Sequence, residues 1–289
     1  MYKLKYRRFY TCRFDRPFKE VFLNPKNKDL LKALLELVLE IKIDKIEIKA
    51  TELLSGNIEI KDKRVDALVY AGNKKIEIEI NSENKGYVRP RNMAYLCNVY
   101  QSHTLRGEEY NEDTDIIQIN FTYGLGENTK EKREYKVMDK EGKEYVKNFK
   151  IYELNMDYYK KIWYDKNEKE IEKNKYLVML DLDKEELKKM PKDKIVDKYI
   201  TNVTIVNDDP EFQEYMSKEE DERKIKNSLL TEAREEGINI GKKQGFDEGI
   251  NTGKEEVAVN LLKTNMDIKE ISKVTGLSTS CINELKKNI

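Results

Sequence analysis

The stretch from Lys61 to Asn81 limits what this chain can fold into more than any other. Lys61-Asp-Lys-Arg-Val-Asp-Ala-Leu-Val-Tyr70 and Lys74-Lys-Ile-Glu-Ile-Glu-Ile-Asn81 flank Ala71-Gly72-Asn73. Both arms alternate apolar with polar residues, the period of a strand. Gly72-Asn73 suits a two-residue type II′ turn, with glycine where φ must be positive. Residues then pair where their numbers add to 145, which sets Asp66 opposite Glu79 and Arg64 opposite Asn81. Directly opposed side chains share a face, with Cβ atoms about 4.5–5.5 Å apart. Two carboxylates so placed can share one Mg²⁺ and leave positions for water and a phosphate oxygen. The same alternation also describes the solvated face of an edge strand, with Asp66 a surface acid, and the pattern alone leaves both readings open. Glu77 lies on the Asp66/Glu79 face nearer the turn, as an auxiliary acid.

Composition favours carboxylate chemistry. The chain has one histidine, His103, and three scattered cysteines, Cys12, Cys97 and Cys281. No Cys/His zinc site, disulfide framework or histidine-based triad can be assembled from them, and the reading is a reducing cytoplasm. Any metal must be a hard cation held by oxygen. Lys+Arg and Asp+Glu both total 55, so contact with nucleic acid must come from local patches. No run approaches a membrane span, and the N-terminus lacks the apolar segment of a secretory signal.

Strand, helix and strand alternate along the first two thirds, which predicts an α/β core. A helix is expected over Asp29–Leu39, strands over 41–48, 58–60, 65–70 and 76–80, a helix over 91–106, and strands at 116–123 and 149–154. Residues 128–150 read as a hairpin or long loop, and 155–205 as mostly helical. The opening arm carries Lys3, Lys5, Arg7, Arg8, Arg13 and Arg16 among aromatics. It reads equally as a phosphate-tracking arm or as a tethered segment using its aromatics as core.

From Glu211 the chain is charged and helical. Gly237, Gly241, Gly245, Gly249 and Gly253 follow one another every four residues. Five helical glycines cost roughly 4–5 kcal/mol against alanine, and a period of four drifts right-handedly around a helix. The stretch reads as a seam where two chains approach, or as a connector. Beyond it lie three amphipathic segments, 255–264, 267–274 and 278–287. Ser278 serves as N-cap, Leu277 and Ile282 as the hydrophobic staple, and Gly276 makes the turn. Ile268–Ser278 has a helix-turn-helix signature, whose last helix would expose Thr279, Ser280, Asn283, Lys286 and Lys287. A bundle serving association alone fits as well.

Asp66 followed across a hairpin by Glu79-Ile80-Asn81 resembles the PD-(D/E)XK nuclease motif. More of the chain resembles the family of recombination-promoting nucleases and transposases built on that core. Asp15-Arg-Pro-Phe-Lys19-Glu-Val-Phe22 is similar to its opening phrase, Leu30–Leu39 to its first helix, and Lys61–Asp66 with Ile78–Asn81 to its catalytic hairpin. Arg91, Tyr95, Tyr100, Gly107 and Tyr110 are similar to the spacing of its next helix. Ile116–Asn120 and Ile151–Leu154 resemble two later strands, and Tyr215–Gly253 the glycine-repeated tail.

The resemblance implies Mg²⁺-dependent endonuclease action on DNA, with other divalent metals as substitutes, linked to recombination, mobile elements or phage defence. Asp66 and Glu79 would bind the metal. Asn81 stands where the wider superfamily has lysine and this family usually glutamine; a neutral amide can hydrogen-bond water or phosphate but adds no charge. Arg64, Lys85 or Arg91 would then supply the positive charge. A further acid from the first helix would be Glu36 or Glu40. The expected fold is a restriction-endonuclease-like mixed sheet flanked by helices, with a helical C-terminal extension. The expected division is a core over 1–205, an association segment over 206–254 that joins a homo-oligomer through Gly237–Gly253, and a helix-turn-helix domain over 255–289. A DNA-binding protein on a decayed core, or an oligomerising inhibitor, is the alternative.

Overall fold

The structure is a computed structural model that describes residues 8–49, 66–102 and 112–287 with their side chains, and the backbone of 52–53 and 63–64. Arg7, His103, Gly107, Tyr110, the strand expected over 58–60 and the side chain of Arg64 lie outside the described residues.

The elements run in order: α1 (Asp15–Phe22), α2 (Lys28–Leu39), β1 (Glu47–Lys49), β2 (Glu52–Leu53), β3 (Lys63–Arg64), β4 (Ala67–Ala71), β5 (Lys74–Asn81), α3 (Val88–Gln101) and β6 (Asp115–Thr122). Then come β7 (Lys132–Lys136), β8 (Phe149–Asn155), α4 (Met156–Tyr164), α5 (Glu168–Val178), α6 (Lys184–Leu187), α7 (Lys194–Asp208), α8 (Pro210–Lys263), α9 (Ile268–Thr275) and α10 (Thr279–Lys287). Contacts divide the chain into two units, Met1–Glu214 and Tyr215–Ile289.

The first unit is built on a mixed six-stranded sheet in the order β1-β4-β5-β6-β8-β7. Strands β5, β6 and β8 are parallel; β1, β4 and β7 join antiparallel. Gly72 has φ +60 and Asn73 is not among the positive-φ residues, the sign pattern of the expected type II′ turn. The register follows: Ala71 pairs with Lys74 and Ala67 with Ile78, each pair adding to 145. Past Ala67 the ladder stops. Arg64 pairs through its backbone with Glu52 in a separate two-stranded ladder, so the extrapolated pairing of Arg64 with Asn81 is corrected. The strand expected over 41–48 shrinks to Glu47–Lys49, because Glu40 closes α2 in the left-handed region at φ +58 and a loop follows. The 128–150 stretch contributes a true strand, β7, along the outer side of β8.

Alternation sorts the sheet into two faces. Ala67, Val69, Ile76, Ile78, Ile80, Ile117, Ile119, Phe121 and Leu154 point into one core with the leucines of α2, Phe18, Val21 and Phe22 of α1, and apolar residues of α4, α5 and α7. Each such side chain contributes roughly 1.5–3 kcal/mol on burial. On the other face Leu68, Ile116 and Phe149 pack under Leu96 and Val99 of α3. Ile116 and Phe149 lie at the N-terminal ends of β6 and β8, and toward the C-terminal ends of the parallel strands the same face turns polar.

The second unit holds a small core of Ala258, Ile271 and Ile282, with Leu261, Leu262, Met266, Ile268, Leu277 and Leu285 around it. Ser278 Oγ accepts from the Cys281 backbone N–H at 3.2 Å and Gly276 closes α9 at φ +72, as the cap and turn readings expect. The first of the three C-terminal segments is no separate helix: 255–263 is the end of α8. The division expected at 205 falls inside α7, which runs to Asp208. Residues 221–254 are exposed throughout. No helix among the described residues is long and apolar enough to cross a membrane.

Candidate active site

Where the β4–β5 ladder ends, side chains continue it. The Asp66 N–H donates to Glu79 Oε1 at 3.3 Å, and the Ile80 N–H donates to Asp66 Oδ2 at 2.7 Å. The two acids of the hairpin are thus crossed over each other's backbone. Glu79 is 2% exposed and Glu77 fully buried, because β5 is an interior strand between β4 and β6. The solvated-edge reading is therefore set aside.

Burying carboxylates has a price unless neighbours compensate. Burial, with Asp66 and Glu77 close by, holds the Glu79 carboxyl well above the usual carboxylate range, against the pull of Arg91. Burial pushes Glu77 up to about 8, although Gln118 Nε2 donates to its Oε2 at 3.0 Å. Its Oε1 is buried without a hydrogen-bond partner among the described residues.

Helix α1 brings a further acid and a cation. Lys19 Nζ lies 3.1 Å from Asp66 Oδ1 and 2.8 Å from Asp15 Oδ1. Four residues apart, Asp15 and Lys19 share one helix face, and Phe18 and Val21 buried beneath them fix that face toward the sheet. Desolvation and then the Asp66 charge raise the Asp15 carboxyl above its ordinary range, although 47% of the side chain is exposed. Desolvation pulls the Lys19 ammonium down, but Asp66 and Asp15 outweigh it and hold its pKa above the ordinary value.

Glu36 and Glu40, the acids anticipated on the helix over 30–39, do not reach the Asp66/Glu79 pair, and Asp15 of α1 lies beside it. Glu36 Oε1 accepts from the Ile43 N–H at 2.9 Å and ties down the loop after α2, while Glu40 pairs with Lys132 at 2.8 Å. Asp15 and Lys19 were legible only as part of a family phrase. Nothing in the spacing of the sequence predicts that α1 packs across the hairpin's open end.

On the far side, Arg91 Nη2 lies 3.7 Å from Glu79 Oε2 and donates to Asn81 Oδ1 at 2.7 Å. Asn92 Nδ2 donates to the same Asn81 oxygen at 3.2 Å, and Asn81 Nδ2 donates to Thr122 Oγ1 at 3.3 Å. Asn81 is thereby engaged in an amide network continued by Asn92 Nδ2 to Asn120 Oδ1 at 2.6 Å and Asn120 Nδ2 to Gln118 Oε1 at 3.0 Å. Gln118, Asn120 and Thr122 had a signal that the sequence reading missed: in Ile116-Ile-Gln-Ile-Asn-Phe-Thr122 they alternate with buried apolar residues.

Lys85 is exposed and pairs with Glu83 at 2.9 Å, so among the described residues Arg91 is the anticipated cation that reaches the acids. In the arm, Arg8 is exposed over the Tyr10 ring, whereas Arg13 lies over the Tyr123 ring at 4.7 Å and 3.8 Å from Asp181. Arg13 thus helps hold the arm to the core. Thr279, Ser280, Asn283, Lys286 and Lys287 are all exposed on α10.

Among the described residues no group of three or more His, Cys, Asp and Glu is arranged to hold a metal. The oxygen donors present still suit a hard cation, since Mg²⁺ is commonly held by one or two carboxylates together with water and phosphate. The charges also fit: Lys19 already sets a cation between Asp15 and Asp66.

A mixed sheet whose central hairpin ends in two crossed acids, at the C-terminal ends of its parallel strands, defines a restriction-endonuclease-like fold. Within that class the chain belongs to the PD-(D/E)XK nuclease family transposases, whose family model matches residues 12–233. Nucleases of this type usually use divalent metals. No curated protein and no solved structure matches the chain.

Proposed function

We propose that the chain is a divalent-metal-dependent DNA endonuclease, with Mg²⁺ the metal of choice, serving DNA rearrangement or defence. The observation that carries this reading is the crossed pair of Asp66 and Glu79, the second almost fully buried and the first 15% exposed at its side chain, beside Asp15. Such an arrangement is costly for folding and useful for holding a cation. Asp66 and Glu79 would hold the metal, with Asp15 beside them. The metal would supply Lewis-acid stabilisation of the phosphoryl oxygens and a more acidic water. Lys19 and Arg91 flank the acids and stand in for the charge that Asn81 lacks: they attract the phosphate and stabilise the charge developing on it. Asn81, held by Arg91 and Asn92, positions Arg91.

Cutting two strands calls for two sites, and pairing of two chains along Gly237–Gly253 would provide them. In support, a Cβ built on any of the five glycines meets nothing within 4 Å. The exposed residues of α10 and Arg8 would add contacts to the DNA backbone, of modest strength and sensitive to salt.

Supercoiled plasmid incubated with Mg²⁺ or with chelator tests the reading. Wild type should nick only with Mg²⁺, and Asp66→Ala and Glu79→Ala should not nick. Absence of Mg²⁺-dependent nicking by folded wild type would refute cleavage. DNA binding retained in that case would select the second reading, a DNA-binding protein on a decayed core, which the neutral Asn81 favours.

A further inference from the structure

A pocket of about 310 Å³ opens on the polar face of the sheet beside the two acids. That is near the small end of the ~300–1,000 Å³ of ligand pockets. Its walls are largely apolar: Phe149 and Ile151 of β8, Met93 of α3 and Val137 just past the end of β7. One end is polar and fixed. Arg89 Nε and Nη2 donate to the two oxygens of Glu153 at 3.0 and 2.8 Å, and the Tyr135 hydroxyl donates to Glu153 Oε2 at 3.0 Å. Glu153 is 6% exposed, so its charge is held by a bidentate pair. Arg89 Nη1 remains without a partner among the described residues.

A chain of side-chain contacts links the pocket to Glu79. Asn81 lines it and accepts from Arg91, which reaches Glu79. In register, Glu79 is followed across the sheet by Asn120 and then Glu153. Buried amides tied to one another hold the intervening floor rigid. Apolar walls that sandwich a flat ring, with a guanidinium donor at one edge, match the two faces and the acceptor-bearing edge of a nucleobase.

We propose that this pocket takes a nucleobase, extruded from the DNA strand whose phosphate lies at Asp66 and Glu79. The identity of the strand rests on the cleavage reading above; the ligand chemistry of the pocket does not. Extrusion requires unstacking of a few kcal/mol per base, so the pocket favours strands already unpaired or distorted.

Two substitutions close the pocket from partly exposed positions without touching the core: Met93→Trp and Val137→Trp, at residues 42% and 39% exposed. Saturation-transfer NMR with the four deoxynucleoside monophosphates should show base protons saturated by wild type. Either tryptophan variant should weaken binding on the order of tenfold or more, with deoxyribose 5-phosphate unaffected. An oligonucleotide carrying 2-aminopurine should brighten with wild type and stay dim with both variants. Nucleotide binding equal in all three proteins, or absent from wild type, would overturn the pocket assignment. Nucleotide binding with no 2-aminopurine signal would overturn extrusion and assign the pocket to free nucleotides. Plasmid nicking is scored separately: nicking without base binding removes this proposal alone, and base binding without nicking removes the cleavage reading alone.

Discussion

Ile76, Ile78 and Ile80 on one face of β5, and Glu77, Glu79 and Asn81 on the other, are all at most 7% exposed. The isoleucines meet a continuous apolar core. The polar residues meet a helix whose first turns carry Arg89, Arg91 and Asn92 where its last turns carry Leu96 and Val99. One strand thus supports the fold with its even-numbered side and the chemistry with its odd-numbered side. Burial by itself marks neither; what separates them is whether the buried groups gain or lose by leaving water.

The contrast can be broken from either side. Largest in effect, Asp66→Ala or Glu79→Ala should lower plasmid nicking on the order of 10³-fold or more, while the circular-dichroism melt shows a folded protein. Next, Ile78→Ala on the opposite face should leave the site chemistry intact but cost about 2–5 kcal/mol of stability, read from urea unfolding.

Glu77→Gln sharpens the comparison through pH. Glu77 titrates near 4.5 when unfolded and at about 8 when folded. Between those values the unfolded chain gives up this proton and the folded one keeps it, so this group's effect on stability becomes more unfavourable as pH rises. Glutamine does not titrate. The variant should match wild type near pH 4 and gain on it through pH 8, by a few kcal/mol at most (order of magnitude only). A gap in melting temperature that fails to widen with pH would contradict the burial of that acid.

The smallest effect is expected from Arg91→Ala. Without this neighbour Glu79 is harder to ionise, so the rising limb of the pH–activity profile should move to higher pH. Lys19→Met should lower nicking while its melting temperature falls far less than that of Ile78→Ala.

The hairpin was legible because its register depends on local chemistry: a turn that needs Gly72 and an alternation that needs only counting. Leu30 to Val38 gave α2 for the same reason. Asp15 and Lys19 were not legible as site residues, since they reach Asp66 only after α1 packs across the sheet, a contact between residues some fifty positions apart. The amide network was half legible. Gln118, Asn120 and Thr122 alternate openly, but alternation reports a polar face and is silent on whether a helix covers it. The strand expected over 41–48 failed for a local reason, because the left-handed glutamate that ends α2 and turns the chain into a loop leaves no mark in a hydrophobic pattern.

The open space around the five glycines of α8 bears on kinetics as well as on packing. Alanine would fit at each site and would add roughly 4–5 kcal/mol of helix propensity in all. In the isolated chain this stretch is therefore the weakest part of its helix. Its amides should exchange with solvent through local opening, long before those of the sheet, and a protease should find it first.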